Sequence, residues 1–191
     1  MDNENTDSKE RIMKTTVELL LKQKDVKVVT VRQIAKEANV NSALINYYFQ
    51  TKENLLNQAV EVCMESIANE MFDQKTENKD PIIRLKDMIK KISTFACNNY
   101  FLSEIAISSE LKHGSFNTSK MILPLLKEIF KEETKEIELK LMALQLIVPL
   151  QVIFLHAKEY NTYLSKGVFD EKQRNELLDK MIDNILKVGS L

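Results

Sequence analysis

The chain of 191 residues has no tryptophan, two cysteines, three glycines and three prolines. Average usage would give about 13 glycines and about 10 prolines. So few turn formers exclude a many-stranded β fold and favour long helices. Cys63 and Cys97 cannot build a disulfide framework and do not stand at metal-ligand spacing. Their scarcity suits a reducing, cytoplasmic setting. A long apolar run is missing too. Leu141–Leu155 is shorter than the ~20 residues of a span and contains Gln145, Pro149 and Gln151, so no membrane helix is expected. The first ten residues, MDNENTDSKE, are acidic and polar, unlike a secretory signal. There is no glycine-rich phosphate loop, no HExxH and no Gly-x-Ser-x-Gly, and the two histidines stand 43 residues apart. The sequence therefore predicts neither enzyme, cofactor nor metal.

What is present is a globular composition, 44% hydrophobic and 29% charged. The length allows one domain or two small ones. The net charge of −1 conceals an asymmetry. Between Ser8 and Lys52 nine basic residues face four acids, a local +5, whereas residues 53–191 carry −3. A basic N-terminal unit on a mildly acidic body suits a polyanionic partner, but +5 is modest and on charge alone an ordinary solvated face is the better reading.

Hydrophobic periodicity predicts an all-α chain of about nine helices. The first starts near Ser8, with Ile12, Thr16, Leu19 and Leu20 on one face, and ends at Asp25. Val26–Val31 reads as a connector. Thr30 caps a short helix over Val31–Ala38, and a second short helix covers Ser42–Phe49. The fourth helix runs from Thr51 to Asp73, and its apolar pairs from Leu55/Leu56 to Met71/Phe72 recur every four residues. At about 100° per residue that stripe turns about 160° along the helix, so its two ends face different partners. Asp80 caps a fifth helix that opens with Pro81. A sixth stops at Gly114, a seventh covers Met121–Lys135, and an eighth, Ile137–Tyr163, is expected to kink at Pro149. The ninth begins at Asp170, with Gln173 placed as in a capping box.

Thr30–Phe49, TVRQIAKEANVNSALINYYF, carries the functional signal. Two helices crossing at a tight turn need a small residue at their contact, which Ala35 supplies. The turn needs a residue tolerant of positive φ four positions later, which Asn39 supplies. Ile34, Val40 and Ile45 fill the space between the helices. This is the pattern of a helix-turn-helix, and it leaves Asn41–Tyr47 on an exposed second helix fit for a DNA major groove.

From Ile12 to Leu56 the sequence resembles the tetracycline-repressor (TetR) family of transcription regulators. The resemblance rests on Thr30–Ala35, on Asn46-Tyr47-Tyr48-Phe49 and on Lys52-Glu53-Asn54-Leu55-Leu56. Members of the family usually have Gly at the place of Asn39, Ser at Asn41, Tyr at Asn46 and His at Tyr48. The resemblance implies an N-terminal three-helix DNA-binding unit over residues 1–50. It implies an effector-binding and dimerisation domain over 51–191, with helix 51–73 joining the two. It further implies a palindromic double-stranded DNA operator and a homodimer through helices near 137–163 and 170–188.

Together with geometry the resemblance makes Thr30, Tyr47 and Lys52 phosphate contacts, supported by Lys9, Arg11 and Lys14. Asn41, Ser42, Ala43 and Leu44 are the candidates for base edges. Tyr48, beside Phe49, is expected to pack on the first helix. A small apolar or aromatic effector is expected in a pocket drawing on Met64, Phe95, Asn98, Phe101, Ser108, His113, Met121 and Gln145, with Asn99 and His156 as further polar candidates. An adaptor that keeps the helix-turn-helix but lacks an effector response is the alternative reading.

Overall fold

The computed structural model describes residues 2–22, 28–72, 80–131 and 134–188. Among them are ten helices and no strand: α1 (Asp2–Lys22), α2 (Val31–Glu37), α3 (Ser42–Phe49), α4 (Lys52–Phe72), α5 (Pro81–Asn98), α6 (Tyr100–His113), α7 (Asn117–Phe130), α8 (Glu136–Leu155), α9 (Ala157–Leu164) and α10 (Glu171–Val188). The chain divides into two compact units, residues 1–74 with 99–109, and residues 75–98 with 110–191.

In the first unit α1 packs on α2, α3 and α4 around one core. Ile12, Leu20, Ile34, Ile45, Phe49, Leu55, Ala59 and Val60 are essentially inaccessible there, and Leu102 of α6 joins them. Thr16 is buried in the same region and its hydroxyl donates to the Ile12 carbonyl at 2.7 Å, which satisfies the polar group within its own helix. Helix α1 begins at Asp2, six residues ahead of the expected start. The front half of the α4 stripe, Leu55 to Val60, lies in this core. Its rear pairs Ile67/Ala68 and Met71/Phe72 fall outside the side chains described, as does the expected end of α1 at Asp25.

In the second unit α5, α7, α8 and α10 surround a core of Leu85, Ile89, Ile122, Leu126, Ala143, Leu146, Leu178 and Ile182. Asp80 caps α5 by accepting from the Ile82 N–H at 2.8 Å. Ion pairs Lys86–Asp183 and Lys90–Asp179, 2.6 and 2.7 Å, tie the rims of α5 and α10. The Glu110 carboxylate accepts from the Thr118 N–H and hydroxyl at the start of α7, and from the Gln151 amide of α8 at 3.0 Å. It thereby serves α7, whose N-cap residue Phe116 provides no side-chain bond. Arg174 is also buried, and its guanidinium donates to the Val168 and Phe169 carbonyls and to the Thr94 hydroxyl.

The expected eighth helix is two helices, which brings the count to ten. Helix α8 continues through Pro149 and ends at His156, whose φ of −114° and ψ of 36° are not helical. Pro149 and Gln145, four residues before it, are both exposed. The carbonyl that Pro149 leaves without a donor can therefore meet water there, and the proline is tolerated. Helix α7 starts at Asn117 and ends at Phe130, earlier at both ends than expected. Asp170 caps α10 through the Gln173 N–H at 2.8 Å. Gln173 does not close a capping box, because its side chain accepts from the Gly167 N–H instead.

Helix α8 is long and apolar enough to cross a membrane by length and composition, and only about a third of it is buried. Ile137 and Leu141 are exposed, and Leu144, Val148, Val152 and Leu155 are half-buried. These six recur at helical spacing and form one apolar stripe along α8.

Candidate nucleic-acid interface

The turn between α2 and α3 is fixed by backbone bonds that the sequence makes possible. Thr30 accepts from the Gln33 N–H at 3.1 Å and starts α2. Ala38 ends it, and Asn39 follows with φ of 52°. The Val40 N–H then donates to the Ala35 carbonyl at 2.9 Å and the Asn39 N–H to the Lys36 carbonyl at 3.3 Å. Those two bonds together are a Schellman closure. Asn is among the few residues that enter the left-handed region at small cost. Replacing Asn39 by valine is expected to destabilise the first unit by about 1–2 kcal/mol, while glycine is expected to be close to neutral. Hydrogen exchange followed across the first unit, in the two variants and the parent, checks this.

Helix α3 begins with Asn41, whose side-chain oxygen accepts from the Leu44 N–H at 2.8 Å. It ends at Gln50, φ 63°, where the Gln50 N–H returns to the Asn46 carbonyl. Ile45 and Phe49 point into the core, which leaves Ala43, Asn46 and Tyr47 exposed, with Ser42, Leu44 and Tyr48 half-buried. Tyr47 is 73% exposed and its ring meets Tyr48 edge-on, with centroids 5.2 Å apart. Tyr48 packs against the core of the first unit. Thr51 caps α4 through the Asn54 N–H, and the Asn54 amide holds the Phe49 carbonyl at 3.1 Å, which fixes the end of α3 to the start of α4.

Thr30 and Tyr47 are exposed and Lys52 is half-exposed, so all three can meet a polyanion. Arg11 is already engaged by Asp7 at 3.2 Å and by Ser8 within its own helix. Lys9 and Lys14 are exposed on α1. Sequence reasoning passed over two exposed cations of α2, Arg32 and Lys36. Their signal was available, since both fall opposite Ile34 and Ala35 on a seven-residue helix.

The expected effector residues are spread over both units. Met64, Phe101 and Ser108 belong to the first; Phe95, Asn98, His113, Met121 and Gln145 belong to the second. Asn98, Phe101, Ser108, His113 and Gln145 are exposed, whereas Met64, Phe95 and Met121 are half-buried. His156 is exposed as well. A cleft of about 500 Å³ in the second unit is lined by other residues: Lys127, Glu128, Lys131, Thr134, Glu136 and Leu139. Burial raises the pKa of both thiols, with Arg174 partly opposing this at Cys97. Neither cysteine is thereby primed as a nucleophile.

Residues 12–59 match the family model described as bacterial regulatory proteins, tetR family. No curated protein matches the chain. The crystal structure of native NalD, described as the secondary repressor of the MexAB-OprM multidrug efflux pump in Pseudomonas aeruginosa, overlaps 97% of this chain and 95% of its own. It does so at 15% identity and a TM-score of 0.42, a likeness too loose to bear on function.

Proposed function

We propose, from the match of residues 12–59 to the family model for bacterial regulatory proteins of the tetR family, that the chain is a sequence-specific, DNA-binding transcription regulator of the cytoplasm. It acts as a repressor and is released by a small apolar or aromatic effector. The observation that carries the DNA-binding part is the Schellman-closed crossing of α2 and α3, which leaves Ala43, Asn46 and Tyr47 on one exposed helical face. Residues 1–50 form the DNA-binding domain in this reading, and the rest of the chain serves dimerisation and effector binding. The effector part rests on the family alone.

One short recognition helix is a small footprint, and such modules act in pairs about 34–36 Å apart on a palindromic site. The apolar stripe of α8 supports a homodimer, because a second copy would cover Ile137, Leu141, Leu144, Val148, Val152 and Leu155. A lipid phase would suit the same hydropathy. The seven side chains of α8 that are buried against its own unit favour the protein partner.

Thr30, Tyr47 and Lys52 hold the phosphates in this reading. Tyr47→Ala and Lys52→Ala are expected to weaken binding to all duplexes alike, and Lys52→Ala to reduce the slope of log affinity against log salt by about one. Salt-dependent mobility-shift titrations on promoter fragments upstream of the protein's own gene provide the measurement. A changed base preference with non-specific affinity intact would refute these phosphate roles. Release of the bound fragment by a compound separates the regulator from an adaptor without effector response.

A further inference from the structure

We infer that Asn46 is the residue that reads sequence, by pairing with an adenine in the major groove, and that Asn41 does not. The inference rests on the regulator reading above. Adenine presents an acceptor, N7, beside a donor, the N6 amino group, and a side-chain amide matches both at once. Asn41 is poorly placed to do so while it caps α3, because its Oδ1 accepts from the Leu44 N–H at 2.8 Å and that bond holds the amide back over the first turn. Releasing that oxygen would open the first turn of the recognition helix. Asn41 then offers an oxygen already engaged by its own helix, a poorer match to adenine than a free amide.

The other positions of α3 offer less. Ile45 and Phe49 are buried, Ser42, Leu44 and Tyr48 are half-buried, and Ala43 is apolar. Tyr47 carries a single phenol, and Gln50 lies past the end of the helix at φ 63°. Asn46 is exposed, and among the described residues its amide has no hydrogen-bond partner. Its donor and acceptor are both free to meet a base. Ala43 stands three residues earlier, about one turn back on the same side. Having only a methyl group, it lets the helix backbone approach the groove floor, and that methyl can touch the 5-methyl of thymine.

Three residues advance the helix by about 4.5 Å, close to the roughly 3.4 Å between stacked base pairs. Asn46 and Ala43 therefore address neighbouring base pairs. Each half-site is expected to hold an adenine under Asn46 with a thymine beside it under Ala43.

Selection from a randomised duplex library, using the full chain, tests this. The parent is expected to enrich an inverted repeat with one adenine fixed in each half-site. Asn46→Ala is expected to lose about 10–100-fold of discrimination at that one position and to keep the others. Asn46→Asp, which can only accept, is expected to exchange adenine for cytosine there, so the assignment stays testable if the alanine variant binds poorly. Asn41→Ser, which preserves the cap, is expected to retain the adenine. Unchanged preferences in both Asn46 variants, or loss of the adenine in Asn41→Ser, would overturn the assignment. A parent that enriches no sequence would instead remove the DNA-binding reading beneath it.

Discussion

Phe49→Ala is expected to destabilise the first unit by about 3–5 kcal/mol, because the ring is fully buried and its removal leaves a cavity among residues that cannot collapse onto it. Phe49 closes α3 and shares its core with Ile12, Leu20, Ile34, Ile45 and Leu55, so α1, α2, α3 and α4 all border the void. Its carbonyl is the anchor for the Asn54 amide, so movement of the ring also loosens the junction between α3 and α4. With two compact units in the chain, a single midpoint is not the right measure. Hydrogen exchange followed by region is expected to show lost protection across residues 8–22 and 31–60. Protection in α5, α7, α8 and α10 should stay as in the parent, and DNA binding should fall with the loss. Equal loss of protection in both units, or none in either, would contradict the division of cores described above.

Leu141→Glu combined with Val148→Glu is expected to convert the proposed dimer to a monomer and to reduce duplex affinity by about 100-fold or more. The two positions are seven residues apart on α8 and share the unburied stripe. A carboxylate forced into an apolar interface without a partner costs several kcal/mol, and this cost recurs in each copy. Loss of pairing then removes the gain of holding two recognition helices on one operator, typically 10²–10⁴-fold. Sedimentation at micromolar concentration gives the oligomeric state, and the mobility shift gives the affinity. Neither substitution touches the buried residues Leu139, Ala143, Leu146 and Ile147, so the helical content should persist. A double variant that still sediments as a dimer would place the interface elsewhere.

Ala35, Asn39 and the cap residue Thr30 made the helix-turn-helix legible in advance, because each answers a local backbone requirement. A tight crossing needs a small side chain, a left-handed turn residue needs Gly or Asn, and a helix start needs a side-chain acceptor. The observed bonds at Ala35, Lys36, Gln33 and Leu44 are those requirements met. Asp80 ahead of Pro81, and Gly114 at φ 66°, were legible for the same reason. The division of labour on α3 was less so. Asn41 and Asn46 are the same residue type, and only the bond from Leu44 distinguishes a capping amide from a free one.

The sequence alone determined the helical class, the site of the helix-turn-helix crossing, and most helix starts, since these depend on interactions within a few residues. Tertiary structure decided that α8 continues through Pro149, because tolerance of the proline depends on whether the Gln145 carbonyl, left without a donor, can reach water. It also decided that Glu110 serves Thr118 and Gln151, and that Arg174 lies buried against Thr94, 80 positions away. It also set the exposure of the residues expected to line a pocket, five of which are exposed. Burial is set by what distant segments bring to a position, and no local pattern carries that information.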